Sequence, residues 1–210
     1  MDSYEVHGLD VSHYQSYINW DQVALSPVHF VFVKATEGLT MTDTLFCHNW
    51  YELERVGLKR GAYHFYRPTI GAREQAVNFL NAVEMKLGDM PPVLDIEVTD
   101  GVKSDRIIDS LKVWLREVEA GVGLRPIIYT NLKFYHQHLA GHFIEYPVWI
   151  ARYHYQKPFL DPGKDWDFWQ YGNRGEIAGI KGDVDFNVFR GTFPELEEMC
   201  MQPPPTLSSR

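Results

Sequence analysis

Short apolar runs alternate with amphipathic segments over the first two thirds of the chain. Five runs rich in β-branched and aromatic residues predict strands, at 5–12, 29–36, 59–68, 91–98 and 125–131. Three segments with apolar residues at helical spacing, each closed by a glycine, predict helices, at 42–57, 71–88 and 104–123. Strands that alternate with helices are typical of βα units and a parallel sheet.

The rhythm changes in the last third of the chain. Three further strands are predicted without helical periodicity between them, at 146–153, 167–172 and 183–189. Eight strands in one domain of this size favour a closed α/β barrel whose final strands lack helices. A doubly wound open sheet is the alternative. A nucleotide-binding open sheet of this kind would require a glycine-rich phosphate-binding turn after its first strand. The turn here, DVSHYQ at 10–15, has no glycine and cannot bind a phosphate in that way.

Composition and charge narrow the range of functions. The 210 residues are 45% hydrophobic and 23% charged, which is ordinary for a soluble globular protein. The formal net charge of −8 and the lack of a basic run argue against nucleic acid as a partner. No apolar run is long enough to span a membrane. Aromatic residues reach 14%, which suits either a packed core or a cleft where sugar rings stack on flat apolar faces.

The cysteines and the chain ends leave alternatives open. Cys47 and Cys200 are far apart and lack metal-type spacing, so a disulfide and two free thiols are both consistent with the sequence. The N-terminus MDSYEVHG lacks a signal-peptide core, so either the protein is not exported by that route or the signal is left out of this chain. The Pro- and Ser-rich tail at 202–210 is predicted to be disordered or a linker stub.

The run VLDIEV at 93–98 sets two acids in an otherwise apolar strand. Residues two apart on a strand point to the same face, so Asp95 and Glu97 should lie side by side, with Cα atoms ~6.6 Å apart. They stand at the carboxyl end of the strand, which in a parallel barrel opens into the active-site mouth. Pairing with a nearby Arg or Lys, or capping of the next loop, is the structural alternative.

Other predicted strands also carry acids near their ends. Asp10 closes the first strand, and Asp183 and Asp185 alternate at the start of the last. Carboxylates that share a partly apolar cleft cannot all ionise freely, so the pKa of one of them is raised. An acid that keeps its proton beside one that stays charged is the arrangement that glycoside hydrolysis needs.

These acids fall within eight motifs that follow one another along the chain. The motifs are GLDVSHYQSYINW (8–20), FVFVKATEG (30–38), GAYHFYRP (61–68), VLDIEV (93–98), PIIYTN (126–131), WIARY (149–153), WQY (169–171) and GDVDFNVF (182–189). Each motif alone is weak, but eight in order at matching intervals are very specific. Over about residues 6–194 the sequence resembles the glycoside hydrolase family 25 lysozymes, the CH-type muramidases.

The resemblance implies an irregular TIM-like α/β barrel of five βα units and three further strands, (β/α)5(β)3, as a single catalytic domain over 1–201. It implies hydrolysis of the β-1,4 bond between N-acetylmuramic acid and N-acetylglucosamine in peptidoglycan, without a cofactor or a metal. The expected partner is a peptidoglycan glycan strand, bound by a monomer. The expected location is the cell envelope or the extracellular space, with a bacterium or its phage as the source.

Carried over by position, the resemblance also assigns site residues. Glu97 matches the family's acid/base and Asp95 its partner in the D-x-E motif, while Asp10 and Asp185 match the other two acids. The residues in motifs that line the family's groove are Lys34, Tyr63, Phe65, Tyr129, Trp149, Trp169 and Gln170. The structural alternatives are a core position for Trp149 and Trp169, and an ion pair of Lys34 with Glu37 or a barrel acid. Met41 departs from the family, which often has an aromatic residue just before the stretch x-D-x-x-F-x-x-N. The family's stacking contact on that loop is therefore not carried over.

Two mechanistic routes are open. Glu97 starts protonated in both, and a charge on Asp95 would hold it neutral. Asp95 could attack the anomeric carbon, which needs carboxyl groups ~5–5.5 Å apart. Alternatively, the 2-acetamido oxygen of the substrate attacks while Asp95 orients that group. We favour substrate assistance, because two acids on one strand face are poorly placed to flank a sugar from opposite sides.

Two rival functions remain at this point. A metal-dependent peptidoglycan deacetylase or amidase would need a site such as His7, His13 and Asp10, but His7 and Asp10 are three apart and face opposite sides of a strand. A non-catalytic wall-binding barrel would be expected to have lost one of the four site acids, and all four are present. Four other residues with potential chemistry are predicted to be packed in the core: His64, Trp20, Trp50 and Trp114.

Overall fold

The structure, a computed structural model, describes residues 3–203, so most of the predicted tail lies outside the described residues. Within them the chain forms nine strands: β1 Val6–Val11, β2 Phe30–Glu37, β3 Met41–Thr42, β4 Lys59–Phe65, β5 Val93–Asp95, β6 Ile127–Asn131, β7 Val148–Ala151, β8 Phe168–Gly175 and β9 Val184–Phe189. The α-helices are α1 Trp20–Val23, α2 Phe46–Val56, α3 Ala72–Ala82, α4 Ser104–Val122, α5 Leu132–Phe134 and α6 Phe193–Met199. A 3-10 turn at His13–Gln15 follows β1, and a π-helical turn at Tyr135–Leu139 follows α5.

Eight of these strands close into a barrel. β1 pairs with β2 on one side and with β9 on the other, so the sheet has no gap between its first and last strands. This closure excludes the doubly wound open sheet and confirms the predicted irregular (β/α)5(β)3 barrel. The remaining strand, β3, pairs antiparallel with the end of β2 and extends outside the ring.

The direction of the strands follows from their connections. Seven barrel strands run parallel, and β9 runs antiparallel to both of its neighbours. Parallel neighbours need a long crossover, usually a helix, whereas antiparallel neighbours can be joined by a short loop. The connection from β8 to β9, residues 176–183, contains no helix. The barrel therefore begins as βα units and ends as a hairpin, as the change of rhythm along the sequence indicates.

Alternation along the strands divides the apolar residues between two layers. One face of each strand points into the barrel, whose floor is filled mainly by aromatic rings, including Phe30, Phe32 and Phe168. The rings of Phe32 and Trp149 stack with centroids 4.4 Å apart, so the interior is a packed core. The other face packs against the helices in a larger core. That outer core contains the tryptophans predicted to be buried, Trp20, Trp50 and Trp114.

Several predicted helix boundaries are wrong. Helix α2 begins at Phe46 and not at 42, because Met41–Thr42 are extended and pair with β2. Helix α3 ends at Ala82, where the buried Val83 adopts an extended backbone, although apolar spacing continues to 88. Helix α6 was not predicted. It begins at a Thr192 capping box and covers the amino-terminal end of the barrel with Leu196.

Two other expectations concern the thiols and the membrane. Cys47 is exposed and Cys200 is buried, and both are free, which settles the choice between a disulfide and two thiols. None of the helices within residues 3–203 combines the length and the apolar character that crossing a bilayer requires.

Gly8 lies where β1 crosses the aromatic floor, and a Cβ added there would stand 2.3 Å from Phe30 Cε2. Phe30 is boxed in by Phe32 and Phe168, at centroid distances of 5.5 and 5.4 Å. We expect Gly8→Ala to lower the free energy of unfolding by about 1–3 kcal/mol through overpacking, as measured by urea denaturation. Gly172→Ala is the matched control, because a Cβ at this strand glycine would meet nothing within 4 Å. Equal losses in the two variants would contradict this packing argument.

Candidate active site

A cavity of about 260 Å³ opens at the carboxyl end of the parallel strands. The residues that line it are Asp10, Ser12, Tyr14, Lys34, Tyr63, Phe65, Asp95, Glu97, Tyr129, Trp149, Tyr153, Gln170 and Asp185. The four predicted acids therefore meet in one place, together with every predicted groove residue except Trp169. They reach it because inward-facing positions of successive strands converge at this end of a barrel.

Trp169 is the predicted groove residue that lies elsewhere. It is 2% exposed, in the core between the barrel and the helices, and its Nε1 donates to the carbonyl of Arg152 at 2.9 Å. Adjacent residues on a strand face opposite sides, so Trp169 and Gln170 cannot both enter the cavity. Gln170 enters it, and the placement of Trp169 in the groove is wrong.

Three lining residues were not predicted: Ser12, Tyr14 and Tyr153. The first two belong to the turn after β1, and Tyr153 follows β7 by two residues. The sequence did contain a signal for these three residues. Tyr153 is the last residue of the motif WIARY, and Ser12 and Tyr14 lie within DVSHYQ. Both motifs stand at the carboxyl ends of strands, where loops line the mouth of a barrel.

Asp10 and Asp185 form a cross-strand pair at the seam where β9 closes the barrel onto β1. Asp10 Oδ2 accepts from Gln170 Nε2 and from Asn187 Nδ2, both at 2.8 Å. Burial, and then the charge of Asp185, raises the pKa of Asp10 well above its usual range. Burial also raises the pKa of the less buried Asp185. Asp10 is thus the member of the pair that keeps a proton.

Gln170 and Asn187 connect this pair to the aromatic wall. Gln170 Oε1 accepts from the hydroxyls of Tyr129 and Tyr153, each at 2.9 Å. Asn187 Oδ1 accepts from Trp149 Nε1 at 2.8 Å. Each amide therefore donates to Asp10 and accepts from an aromatic side chain. These bonds add to the packing that fixes the orientation of the rings at the cavity wall.

Asp95 and Glu97 both reach the cavity, although β5 is shorter than predicted and ends at Asp95. The extended path continues past the strand, since Ile96 N donates to the carbonyl of Tyr129 at 3.0 Å. Burial, and then the charge of Glu97, raises the pKa of Asp95 well above its usual range. Asp95 Oδ1 is buried and finds no hydrogen-bond donor among residues 3–203. A buried carboxyl oxygen that lacks a donor is available to bind a group of the substrate.

The cause of the proton on Glu97 differs from the prediction. Burial is the leading reason that the pKa of Glu97 is raised, and the charge of Asp185 adds to it. A hydrogen bond from the Asn131 side chain and the charge of Lys34 act in the opposite direction. The charge of Asp95 was predicted to raise the pKa of Glu97. In the structure, burial and the charge of Asp185 across the cavity raise it instead.

A β-bulge at the end of β2 places Glu37 beside Lys34, the cation of the site. The register shifts between Lys34 and Thr36, so Glu37 pairs opposite Phe65 on the inward-facing side of β4. Lys34 Nζ then binds Glu37 Oε2 at 2.8 Å, as the structural alternative for this lysine anticipated. Arg67 lies 3.6 Å from the other oxygen of Glu37. The positive charge of Lys34 lowers the pKa of Asp95 against the effect of burial.

The histidines do not assemble a metal site with Asp10. His13 Nδ1 bonds Asp43 Oδ2 at 2.6 Å, and His7 alternates with the inward-facing Val6. No group of three or more His, Cys, Asp or Glu side chains within residues 3–203 is arranged to hold a metal ion. His64 is packed as predicted, with Thr36 Oγ1 at 2.7 Å from its Nδ1, and burial lowers its pKa to about 4.

Paired acids at the mouth of a closed barrel are the arrangement of a glycoside hydrolase. The family model for glycosyl hydrolases family 25 matches residues 9–180. YegX of Escherichia coli strain K12 is 44% identical over 200 residues, covering 93% of this chain and 73% of that protein. Lysozyme M1 of Streptomyces globisporus is 30% identical over 209 residues, covering 93% and 71%.

A family 25 glycosyl hydrolase from Bacillus anthracis has a similar structure. Its TM-score is 0.90 at 32% sequence identity, and the match covers 96% of each chain. The chain belongs to glycosyl hydrolase family 25, and it is therefore a glycoside hydrolase.

The raised pKa of Asp10 predicts how stability depends on pH. The contribution of protonated Asp10 to stability is full below the ordinary carboxyl pKa of ~3.9 and is lost as pH rises through the raised value. Asp10→Asn imitates the protonated acid, because its amide can still accept from Gln170 and Asn187 and can donate to Asp185. We expect its advantage in unfolding free energy to be near zero at about pH 4 and to grow as the pH rises towards about 8.

Urea denaturation of both proteins across that pH range measures the difference. The control is Asp109→Asn, because the Asp109 side chain is 76% exposed and should give a difference that does not change with pH. A pH-independent difference for Asp10→Asn as well would contradict the protonation of Asp10.

Proposed function

We propose that the chain is a lysozyme, an N-acetylmuramidase that hydrolyses the β-1,4 bond between N-acetylmuramic acid and N-acetylglucosamine in bacterial peptidoglycan. The observation that carries this proposal is the Asp95 and Glu97 pair, whose pKa values are both raised in a cavity open to solvent. The name of the similar Streptomyces globisporus protein, lysozyme, supports the same substrate.

Glu97 acts as the proton donor. It is the less buried acid of the pair, so it can reach the glycosidic oxygen of a bound strand. Its raised pKa keeps it protonated at mildly acidic pH, as a general acid requires. After the bond breaks, the same carboxylate can take a proton from the incoming water.

Asp95 orients the 2-acetamido group of the substrate, whose carbonyl oxygen attacks the anomeric carbon. Asp95 Oδ1, which has no hydrogen-bond donor among residues 3–203, can accept a hydrogen bond from the acetamido N–H. In the productive form, the proton of the pair lies on Glu97 and Asp95 is charged, because the acetamido N–H that donates to Asp95 stabilises its charged form. The charge on Asp95 then stabilises the oxazolinium that forms.

Asp10 and Asp185 define the opposite side of the site. The Asp185 carboxylate supports protonation of Glu97 through its charge. Asp10 holds Gln170 and Asn187 in place through its shared oxygen. The aromatic side chains fixed by those amides then form the wall on which a sugar ring packs.

The proposed partner is a peptidoglycan glycan strand, bound by a monomer. Its place of action is the cell envelope or the extracellular space, where its substrate lies, as a bacterial enzyme or a phage-released lysin. The catalytic domain spans 1–201.

Glu97→Gln keeps the shape of the side chain but cannot donate an acid proton. We expect the rate of peptidoglycan hydrolysis to fall by about two to four decades, the usual contribution of general acid catalysis. Mass spectrometry of digested peptidoglycan measures both rate and product, and the wild-type enzyme should leave new reducing ends on muramic acid.

Glu198→Gln on the exposed face of α6 is the matched control and should digest at the wild-type rate. Near-normal turnover by folded Glu97→Gln would remove Glu97 as the donor. Reducing ends on glucosamine would identify a glucosaminidase and contradict the proposed bond specificity.

Asp95→Asn separates the two mechanistic routes. Loss of the charge should weaken stabilisation of the oxazolinium, so a thiazoline mimic of the cyclised sugar should inhibit the wild-type enzyme well and Asp95→Asn poorly. Inhibition constants on soluble glycan fragments measure the difference. A covalent glycosyl ester trapped on Asp95 and detected by mass spectrometry would overturn substrate assistance and make Asp95 the nucleophile.

A further inference from the structure

Tyr14 stands at the rim of the cavity and is 80% exposed, although its ring contributes to the lining. A single exposed aromatic residue needs no explanation by itself. Tyr14 is of interest because hydrogen bonds hold the turn that carries it. The 3-10 turn His13–Gln15 is fixed from three directions.

The first fixation lies within the turn itself. Ser12 Oγ accepts from Tyr14 N at 3.2 Å, and Gln15 Oε1 accepts from Ser12 N at 2.9 Å, which together form a capping box. The second comes from the β8–β9 connection, where Gln15 Nε2 donates to the carbonyl of Asp183 at 3.3 Å. The turn is therefore bound to its own cap and to the loop that precedes the neighbouring strand β9.

The third fixation is the buried carboxylate of Asp43, which is 2% exposed. Asp43 Oδ2 accepts from His13 N at 3.0 Å and lies 2.6 Å from His13 Nδ1. Asp43 Oδ1 accepts from Leu45 N at 3.0 Å, so the carboxylate is itself held in place. The His13 ring lies beneath Tyr14, with a centroid distance of 4.2 Å and an interplanar angle of 35°. A buried acid thus supports an imidazole that supports the exposed ring.

We propose that Tyr14 is a stacking platform for a sugar ring of the glycan strand, adjacent to the ring held in the cavity. The inference rests on the proposed function and adds a subsite to it. A cavity of about 260 Å³ is at the small end for a ligand pocket, so further sugars of a polymer must lie on the rim. Pyranose rings present flat C–H faces that pack on aromatic rings.

The fixed turn explains why this platform binds effectively. An exposed side chain on a mobile loop would lose conformational entropy when a sugar orders it. The bonds from Ser12, Asp43 and Gln15 place the Tyr14 ring before the substrate arrives. Stacking outside the reacting centre contributes equally to ground state and transition state, so its loss should raise KM and leave kcat nearly unchanged.

The test measures glycan affinity by calorimetry with soluble peptidoglycan oligosaccharides, in the Glu97→Gln background so that the ligand is not cut. Tyr14→Ala should bind about tenfold more weakly, equivalent to ~1.4 kcal/mol. Tyr14→Leu, which keeps apolar bulk without a flat ring, should bind nearly as weakly, and Tyr14→Phe should recover most of the loss. Asp43→Asn should give an intermediate loss, because it weakens the bond that holds His13.

Steady-state kinetics with wild-type Glu97 should show the same factor in KM. The control is Tyr51→Ala on α2, because Tyr51 is 65% exposed and does not line the cavity. Unchanged affinity and KM in Tyr14→Ala, in an enzyme that cleaves the muramic acid bond, would overturn the platform and leave the proposed function intact. Failure of the wild-type protein to cleave or bind peptidoglycan glycans would overturn both.

Discussion

Burial of four carboxyl groups at one end of the barrel is the constraint on which the site depends. Three of them have raised pKa values because the barrel wall removes water from around them, and Asp185 follows the same direction from a more open position. A buried acid is stable only if it is protonated, paired or hydrogen-bonded. Asp10 obtains two amide donors, whereas one oxygen of Asp95 has no donor within the described part of the chain. That difference separates a structural acid from one available to a substrate.

The two-residue alternation of the strands decides which side chains face the buried carboxyl groups and which pack against the helices. Inward positions carry phenylalanine rings at the floor and polar groups at the mouth, while outward positions pack against the helices. The seam between β1 and β9 places Asp10 opposite Asp185, and the bulge in β2 brings Glu37 to Lys34. The aromatic floor is therefore the rigid support for the carboxyl groups above it, because the same strands carry both.

Much of this arrangement could be predicted from the sequence. The alternation of strands and helices, with the change of rhythm after 131, is sufficient for a barrel that ends without helices. The alternation of side chains along a strand also places most of the predicted residues on inward-facing positions. It means that Trp169 and Gln170, which are adjacent in the motif WQY, cannot both face the cavity. The short strand β3 and the early end of α3 could not be predicted, because tertiary contacts override local periodicity there. Helix α6 did have a local signal, the capping box of Thr192 and Glu195. The support beneath the Tyr14 ring could not be predicted either, because it depends on the contact between His13 and Asp43, which are 30 residues apart in the sequence.

The central claim is that burial keeps protons on carboxyl groups at the mouth of the barrel when ordinary carboxyl groups have ionised. Infrared difference spectroscopy of the free enzyme, titrated from pH 3 to 9, resolves protonated carboxyl C=O stretches from those of carboxylates. The wild-type protein should retain a protonated carboxyl band well above the ordinary range of ~4. Part of that band should be missing in Asp10→Asn and another part in Asp95→Asn. Complete ionisation of all carboxyl groups by about pH 5 would contradict the account.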